Sequence, residues 1–176
     1  MDRLLAKLIG SALIIGATTC AGWAAAARYA KRPAQLRDLQ TGLAILQTEV
    51  EYGATPLPEA LERAARAAGP PVGAIFAECA SRLRRGGGAT AGEALEAALD
   101  AAAGATYLGP EELSAMRALG AVLGASGRAD QIRHLQLARR RLEAEEARAR
   151  DERQRYERMA RYLGVLSGAA LVLILV

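Results

Sequence analysis

The chain has 176 residues, with 23 basic and 19 acidic residues, and 21 and 18 of these lie between Arg28 and Arg161. That region therefore carries a net charge of only +3, which argues against a nucleic-acid partner. The single histidine and two cysteines of the whole chain cannot build a histidine-based metal cluster or a catalytic triad, so we expect no cofactor, no metal site and no enzyme activity. Valine, isoleucine and aromatic residues are sparse, and no stretch alternates apolar and polar residues, so the fold should be all-α.

The first predicted element is an apolar helix over residues 8–27, which contain no charge. At about 1.5 Å per residue it is about 30 Å long, enough to cross a bilayer. A cleaved signal peptide is the alternative, because Arg3 and Lys7 precede the segment and alanines at 24–26 resemble a cleavage site. A larger basic cluster follows, and by the positive-inside rule it favours an uncleaved span with the next domain in the cytoplasm: Arg28, Lys31, Arg32 and Arg37.

Five short helices are predicted next. Apolar residues at steps of three and four mark the first, which ends at Gly53 as a left-handed stop: Leu36, Leu39, Leu43, Leu46 and Val50. Thr55 should cap the second helix, which ends at Gly69, and a third closes at the glycines 86–88. Thr90 and Glu93 form a capping box that opens the fourth, and Gly109-Pro110 opens the fifth.

The last predicted helix runs from Asp130 to the end of the chain. Between Arg139 and Arg161 it is densely charged, and opposite charges fall one turn apart, as in an exposed helix: Arg139 with Glu143, Arg141 with Glu145, Glu146 with Arg150, and Asp151 with Arg155. Adjacent residues on a helix point about 100 degrees apart, so the acid pairs 111–112 and 145–146 are not paired carboxylates on one face. We expect both pairs to be solvated.

Residues 162–176 contain no charge and form about 22 Å of helix, short for a membrane core of about 30 Å. The predicted architecture is therefore an antiparallel six-helix bundle flanked by N- and C-terminal transmembrane helices. Its parts are an anchor over 1–30, a cytoplasmic bundle over 31–161 and a second membrane segment over 162–176, with both termini outside. Six residues are assigned to the membrane interface: Arg28, Lys31, Arg32, Arg158, Arg161 and Tyr162.

An ordered set of motifs resembles the stage III sporulation protein AB family across the whole chain. The set contains residues 49–61, the stretch around Leu123, Gly124, Gln131 and His134, and the segment that begins at Tyr162. The resemblance implies a fold similar to the cytoplasmic domains of type II secretion F proteins. It also yields structural or partner candidates: Glu49, Tyr52, Gly53, Thr55, Pro56, Leu57, Ala60, Leu61, Gly124 and Gln131.

The resemblance further implies a component of a sporulation channel complex that links mother cell and forespore and sits in the mother-cell membrane around the forespore. Its partners would be the stage III sporulation protein AA ATPase, the other stage III sporulation A proteins and membrane lipid, with no nucleic acid and no small-molecule substrate. The role would be to dock a secretion-type ATPase at the membrane. An alternative from another class is a membrane-tethered structural spacer or self-associating signalling stalk, in which the charged helix is a rod.

Overall fold

A computed structural model of the protein describes residues 2–53 and 55–175, and the side chains of 26–53 and 55–159. These residues form six helices and no strand: α1 (Asp2–Tyr52), α2 (Leu57–Ala68), α3 (Gly73–Arg85), α4 (Ala91–Ala102), α5 (Pro110–Gly120) and α6 (Arg128–Leu175). The predicted all-α class is confirmed. Within the described residues no helix has both the length and the apolar character that a membrane crossing requires. Nearly all of the predicted span 8–27, and all of 162–176, lie outside the described side chains.

The chain divides into two compact units. One combines Met1–Lys31 with Glu152–Val176, and the other is Arg32–Asp151. In the first unit the rings of Tyr29 and Tyr156 stack, with centroids 4.9 Å apart and planes at 25°. The helical core and the candidate partner-binding site lie in the second unit.

In the second unit, the predicted leucine seam of α1 forms the centre of the core. Leu36, Leu39, Leu43 and Leu46 are completely buried, as the steps of three and four along a helix require. The predicted apolar helix over 8–27 and the helix that carries this seam are not separate elements: one helix from Asp2 contains both and runs through Pro33. Proline has no backbone N–H, so the helix lacks one hydrogen bond at Pro33. The other backbone hydrogen bonds and the packing of the leucine seam keep the helix continuous.

Close packing between α1 and α3 depends on a glycine. A Cβ built at Gly42 would lie 2.8 Å from Cζ of Phe76, whose ring is almost fully buried. The ring therefore occupies the space that any other side chain at position 42 would need. The helix periodicity does not reveal this contact, because glycine contributes nothing to an apolar pattern.

The helix ends follow the predictions only in part. The capping box of α4 is confirmed, since Thr90 Oγ1 accepts from the Glu93 N–H at 3.2 Å and Glu93 Oε2 accepts from the Thr90 N–H at 2.8 Å. The assignment of Thr55 as the cap of α2 is wrong, because Pro56 occupies that position and makes no side-chain cap. The left-handed stop at Gly53 is also wrong, since the glycines with positive φ are Gly69, Gly86, Gly87, Gly88 and Gly124.

Candidate partner-binding site

The corner between α1 and α2 is organised by the carboxylate of Glu49. Its Oε2 accepts a hydrogen bond from Thr55 Oγ1 at 2.8 Å, and its Oε1 accepts from Arg63 Nη1 at 2.8 Å. The Thr55 hydrogen bond, followed by the Arg63 hydrogen bond, lowers the pKa of Glu49 below its usual value. One side chain of α1 thus connects the loop and α2. The Thr55 hydroxyl thus bonds back to α1, and Pro56 occupies the N-cap position of α2.

Gly53 allows the backbone to turn tightly at this corner. Its N–H donates to the Glu49 carbonyl at 2.9 Å, and a Cβ at position 53 would lie only 2.6 Å from that carbonyl oxygen. Thr55 Oγ1 would be 3.0 Å away on another side. The glycine is therefore required by close approach of the chain to itself rather than by a left-handed backbone.

Tyr52, the last residue of α1, projects from this corner into solvent. Its side chain is 80% exposed, the largest exposure among the large hydrophobic residues that the structure describes. A hydrogen bond to Glu51 and the charge of that carboxylate raise the pKa of the phenol, so the ring stays neutral at physiological pH. A neutral aromatic side chain on a braced corner suits contact with a protein partner, because it offers apolar area and a polar tip.

The second motif stretch, at the turn between α5 and α6, meets the first. Gly124 turns the chain with a φ of 73°, and Gln131 Nε2 donates to the Ser126 carbonyl at 2.8 Å, which closes the turn. Leu57 Cδ2 lies 3.5 Å from the position that a Cβ of Gly124 would occupy. The fold therefore brings together two sets of motif residues that are far apart in sequence.

The other motif candidates have simpler positions. Pro56 is exposed at the start of α2, whereas Ala60 and Leu61 are buried in the core. Both buried residues are explained by packing. The corner formed by Glu49, Tyr52, Gly53, Thr55 and Leu57, together with the turn at Gly124 and Gln131, is called the motif corner below.

Sequence reasoning missed a buried ion pair elsewhere in the unit. Glu112 is 0% exposed, and its Oε1 accepts from Arg32 Nε at 3.0 Å and from Arg32 Nη2 at 2.7 Å. Arg32 Nη2 also lies 3.7 Å from Glu145 Oε2, so α1, α5 and α6 meet at one guanidinium group. The prediction that the pair 111–112 is solvated is wrong for Glu112. The missed signal is its spacing, because Glu112 continues the seam of Met116, Leu119 and Leu123.

Glu146 is a second buried acid, 6% exposed, on the seam of Leu135, Ala138 and Leu142 in α6. Its Oε1 forms an ion pair with Arg37 Nε at 2.9 Å and accepts a hydrogen bond from Arg150 Nη2 at 2.5 Å, and its Oε2 accepts from Gln40 Nε2 at 3.0 Å. The prediction of a solvated 145–146 pair is therefore wrong here as well. A helix seam accepts a carboxylate when the neighbouring helix supplies its hydrogen-bond donors.

Of the four predicted charge pairs along α6, only Glu146 with Arg150 forms among the described ion pairs. Glu145 pairs with Arg148 at 2.6 Å, and Arg139 Nη1 instead donates to Gln47 Oε1 of α1 at 3.2 Å. Arg139 therefore bonds to the neighbouring helix instead of to Glu143, whereas Glu145 and Glu146 each pair with an arginine of α6. Up to residue 150 the polar contacts of α6 thus combine pairs within the helix with bonds to α1.

The structure describes the side chains of four of the six residues assigned to the membrane interface. Arg28, Lys31 and Arg158 are exposed, whereas the guanidinium group of Arg32 is directed into the bundle toward Glu112. The side chains of Arg161 and Tyr162 lie outside the described residues. The interface assignment stays a prediction, and Arg32 has a role in packing that the sequence did not suggest.

The described residues contain no group of three or more metal-ligating side chains. His134 lies beside Asp130, with Nε2 and Oδ1 3.8 Å apart, and Cys79 is buried with its pKa raised by burial to about 11. A thiol with such a pKa stays protonated at neutral pH and is a poor nucleophile. The geometry of the unit is that of a packed bundle with a braced corner.

Comparisons with known proteins agree with this geometry. The family model for stage III sporulation protein AB (spore_III_AB) matches residues 7–176. Stage III sporulation protein AB from Bacillus subtilis (strain 168) is 35% identical over 169 residues, covering 96% of this chain and 98% of the relative. A solved structure of stage III sporulation protein AB (SpoIIIAB) matches with a TM-score of 0.66 and 32% identity, covering 70% of this chain and 97% of that one. The chain belongs to the stage III sporulation protein AB family.

Proposed function

We propose that this chain is a membrane-anchored assembly component of a sporulation channel complex between mother cell and forespore. Its role is to dock a secretion-type ATPase, the stage III sporulation protein AA ATPase, at the membrane. The observation that carries the proposal is the motif corner, where family-motif residues from two distant stretches meet at Leu57 and Gly124, and where α1 ends in the exposed Tyr52. An adaptor needs such a surface, since it works by holding a partner and performs no chemistry of its own.

The physical argument for binding at the corner is preorganisation. Glu49 fixes the loop through Thr55 and fixes α2 through Arg63, so Tyr52 stands on a backbone that is already ordered before a partner arrives. Association then costs less conformational entropy at this point than it would on a flexible loop. Tyrosine is among the residues that most often dominate binding energy at protein interfaces.

The membrane part of the proposal rests on sequence. The uncharged segments at 8–27 and 162–176 are each adjoined by basic residues on the bundle side, among them Arg28 and Lys31 after the first and Arg158 before the second. Such residues attract anionic lipid headgroups on the cytoplasmic face of a membrane. We therefore place the bundle in the cytoplasm and both termini outside.

The test is binding of the purified full-length chain, in detergent, to the purified ATPase. We expect binding by the native chain and a dissociation constant about tenfold higher for Tyr52→Ala. Met159→Ala is the matched control, because Met159 is also a large exposed side chain, at 58%, but lies far along the chain from the motif corner. No binding by the native chain would refute the docking function, and equal loss in both variants would refute the role of the corner.

The spacer or stalk is a second candidate, favoured by one observation. Between Asp151 and Met159 every described side chain of α6 except Tyr156 is exposed, and Arg153 and Glu157 form an ion pair along the helix at 2.7 Å. A charged helix of this kind suits a rod that holds a bundle at a distance. Light scattering on the full-length chain separates the two: a stable homo-oligomer without ATPase binding would support the stalk.

A further inference from the structure

The outward face of α6 has a shallow groove that the motif corner does not account for. Leu137 lines this groove and is 45% exposed. The outward face of an amphipathic helix ordinarily carries polar residues, so an exposed leucine there is unusual. The groove has a volume of about 400 Å³ and is lined by Arg133, His134, Gln136, Leu137 and Arg140.

This face is basic. Between residues 133 and 148 the exposed charges are four arginines and one glutamate: Arg133, Arg140, Arg141, Arg148 and Glu143. Arg133 and Arg148 already pair with Asp130 and Glu145. Arg140 and Arg141 have no acidic partner among the residues whose side chains the structure describes. Leu137 therefore lies in a groove with Arg140 and one helical turn from Arg141, and no described acidic side chain pairs with either arginine.

The groove lies at the same level of the bundle as the exposed tyrosine. Contacts of Gln40 with Glu146 and of Gln47 with Arg139 show that α1 and α6 run antiparallel in a regular register. Five residues further along α1 and five back along α6, the same register sets Tyr52 level with His134. A partner that contacts the motif corner would therefore reach the groove without spanning the length of the bundle.

We propose that this groove binds an acidic amphipathic segment of the ATPase partner, with an apolar side chain over Leu137 and carboxylates on Arg140 and Arg141. The inference rests on the proposed function and adds to it a second contact surface with a stated chemistry. Guanidinium groups bind carboxylates through paired N–H donors, and an exposed leucine in a concave site gives such a segment an apolar anchor. The charges would set its orientation and speed its association.

A protein segment explains the groove better than a phosphate-bearing partner does. Phosphates of lipid or nucleic acid would use the arginines but would leave Leu137 without a function. The face also offers no aromatic residue on which a base could stack, among the lining residues. The combination of one apolar centre and unmatched cations is the pattern of an interface core with a charged rim.

The experiment measures ATPase binding by the full-length chain in nanodiscs of phosphatidylcholine, with the variants Leu137→Asp and Arg140→Glu. Each should raise the dissociation constant about tenfold or more, and the effect of Arg140→Glu should shrink at high salt. Arg66→Glu is the matched control, since Arg66 is an exposed arginine on α2 outside the groove, and it should leave binding unchanged. Circular dichroism should show the same helix content for all three variants, because each site is on the surface.

The outcomes separate the groove from the docking function. No binding by the native chain would overturn both proposals, whereas normal binding by Leu137→Asp and Arg140→Glu, with loss in Tyr52→Ala, would overturn the groove alone. An equal loss in Arg66→Glu would show that only net charge matters and would also overturn it. Hydrogen-exchange protection of residues 133–144 by phosphatidylglycerol nanodiscs without ATPase would assign the face to lipid instead.

Discussion

Arg32 and Glu112 are joined by two hydrogen bonds to one carboxylate oxygen, at 2.7 and 3.0 Å, inside a bundle where Glu112 has no exposed surface. The other oxygen, Oε2, has no hydrogen-bond partner among the residues that the structure describes. Glu112 therefore depends on a single guanidinium group for the compensation of its buried charge. That guanidinium comes from α1, the helix that also continues into the first unit.

We expect Arg32→Ala to lower the free energy of unfolding by about 3–5 kcal/mol, because it leaves an uncompensated buried carboxylate. Replacing both partners, in Arg32→Met with Glu112→Leu, should be much less harmful than Arg32→Ala alone. Urea denaturation of the full-length chain in detergent measures both. Arg153→Ala is the control, since its pair with Glu157 is exposed and should contribute at most about 1 kcal/mol.

Gly42 provides a test of the packing between α1 and α3. Gly42→Ala places a Cβ 2.8 Å from Cζ of a ring that cannot withdraw into solvent, so we expect a loss of about 1–3 kcal/mol of stability. The same substitution at Gly104, in an exposed turn, meets no atom within 4 Å and should be nearly neutral. Thermal melts compare the two. Equal melting temperatures would mean that Phe76 is not held against Gly42.

The Cys79 thiol should resist modification in the folded protein. Burial raises its pKa to about 11, so both the thiolate fraction and the access of a reagent are small at neutral pH. We expect maleimide labelling of Cys79 only after denaturation. Ala105→Cys, at an exposed position, should label at once in the folded chain, and rapid labelling of native Cys79 would refute the packing of α3.

The Ala105→Cys substitution also gives a test of membrane topology. In intact cells, a membrane-impermeant maleimide should leave Ala105→Cys unlabelled, in a chain that also carries Cys20→Ala and Cys79→Ala. Permeabilised cells should show labelling. Labelling in intact cells would place the bundle outside the cytoplasm.

Glu49 should make the motif corner sensitive to acid. Its pKa is lower in the folded state than in the unfolded state, so its contribution to stability is present above the unfolded value of about 4.5 and is lost as pH falls through the lower folded value. The melting temperature of Glu49→Gln should therefore lie below that of the native chain at about pH 7, and the gap should close toward about pH 3. A gap that stays constant with pH would show that the charge of Glu49 has no part in bracing the corner.

The sequence by itself determined the helices and some of their ends. Apolar residues at steps of three and four placed Leu36, Leu39, Leu43 and Leu46 on one buried seam, and the capping box at Thr90 placed the start of α4. These features depend on residues within a turn or two of each other, so periodicity and local hydrogen bonding are enough to identify them. The family followed from motifs in a fixed order along the chain.

Only the tertiary structure decided where the charges go. Glu112 and Glu146 occupy seam positions because Arg32, Arg37 and Gln40 of α1 supply their ion-pair and hydrogen-bond partners, which lie 80 or more residues away in the sequence. Local pairing rules gave Glu146 only its partner within α6, Arg150, and gave Glu112 none. The contact of Gly42 with Phe76 and the meeting of Leu57 with the Gly124 turn were hidden for the same reason. A side chain's partner across the bundle is fixed by how the helices pack, and no short stretch of sequence contains that information.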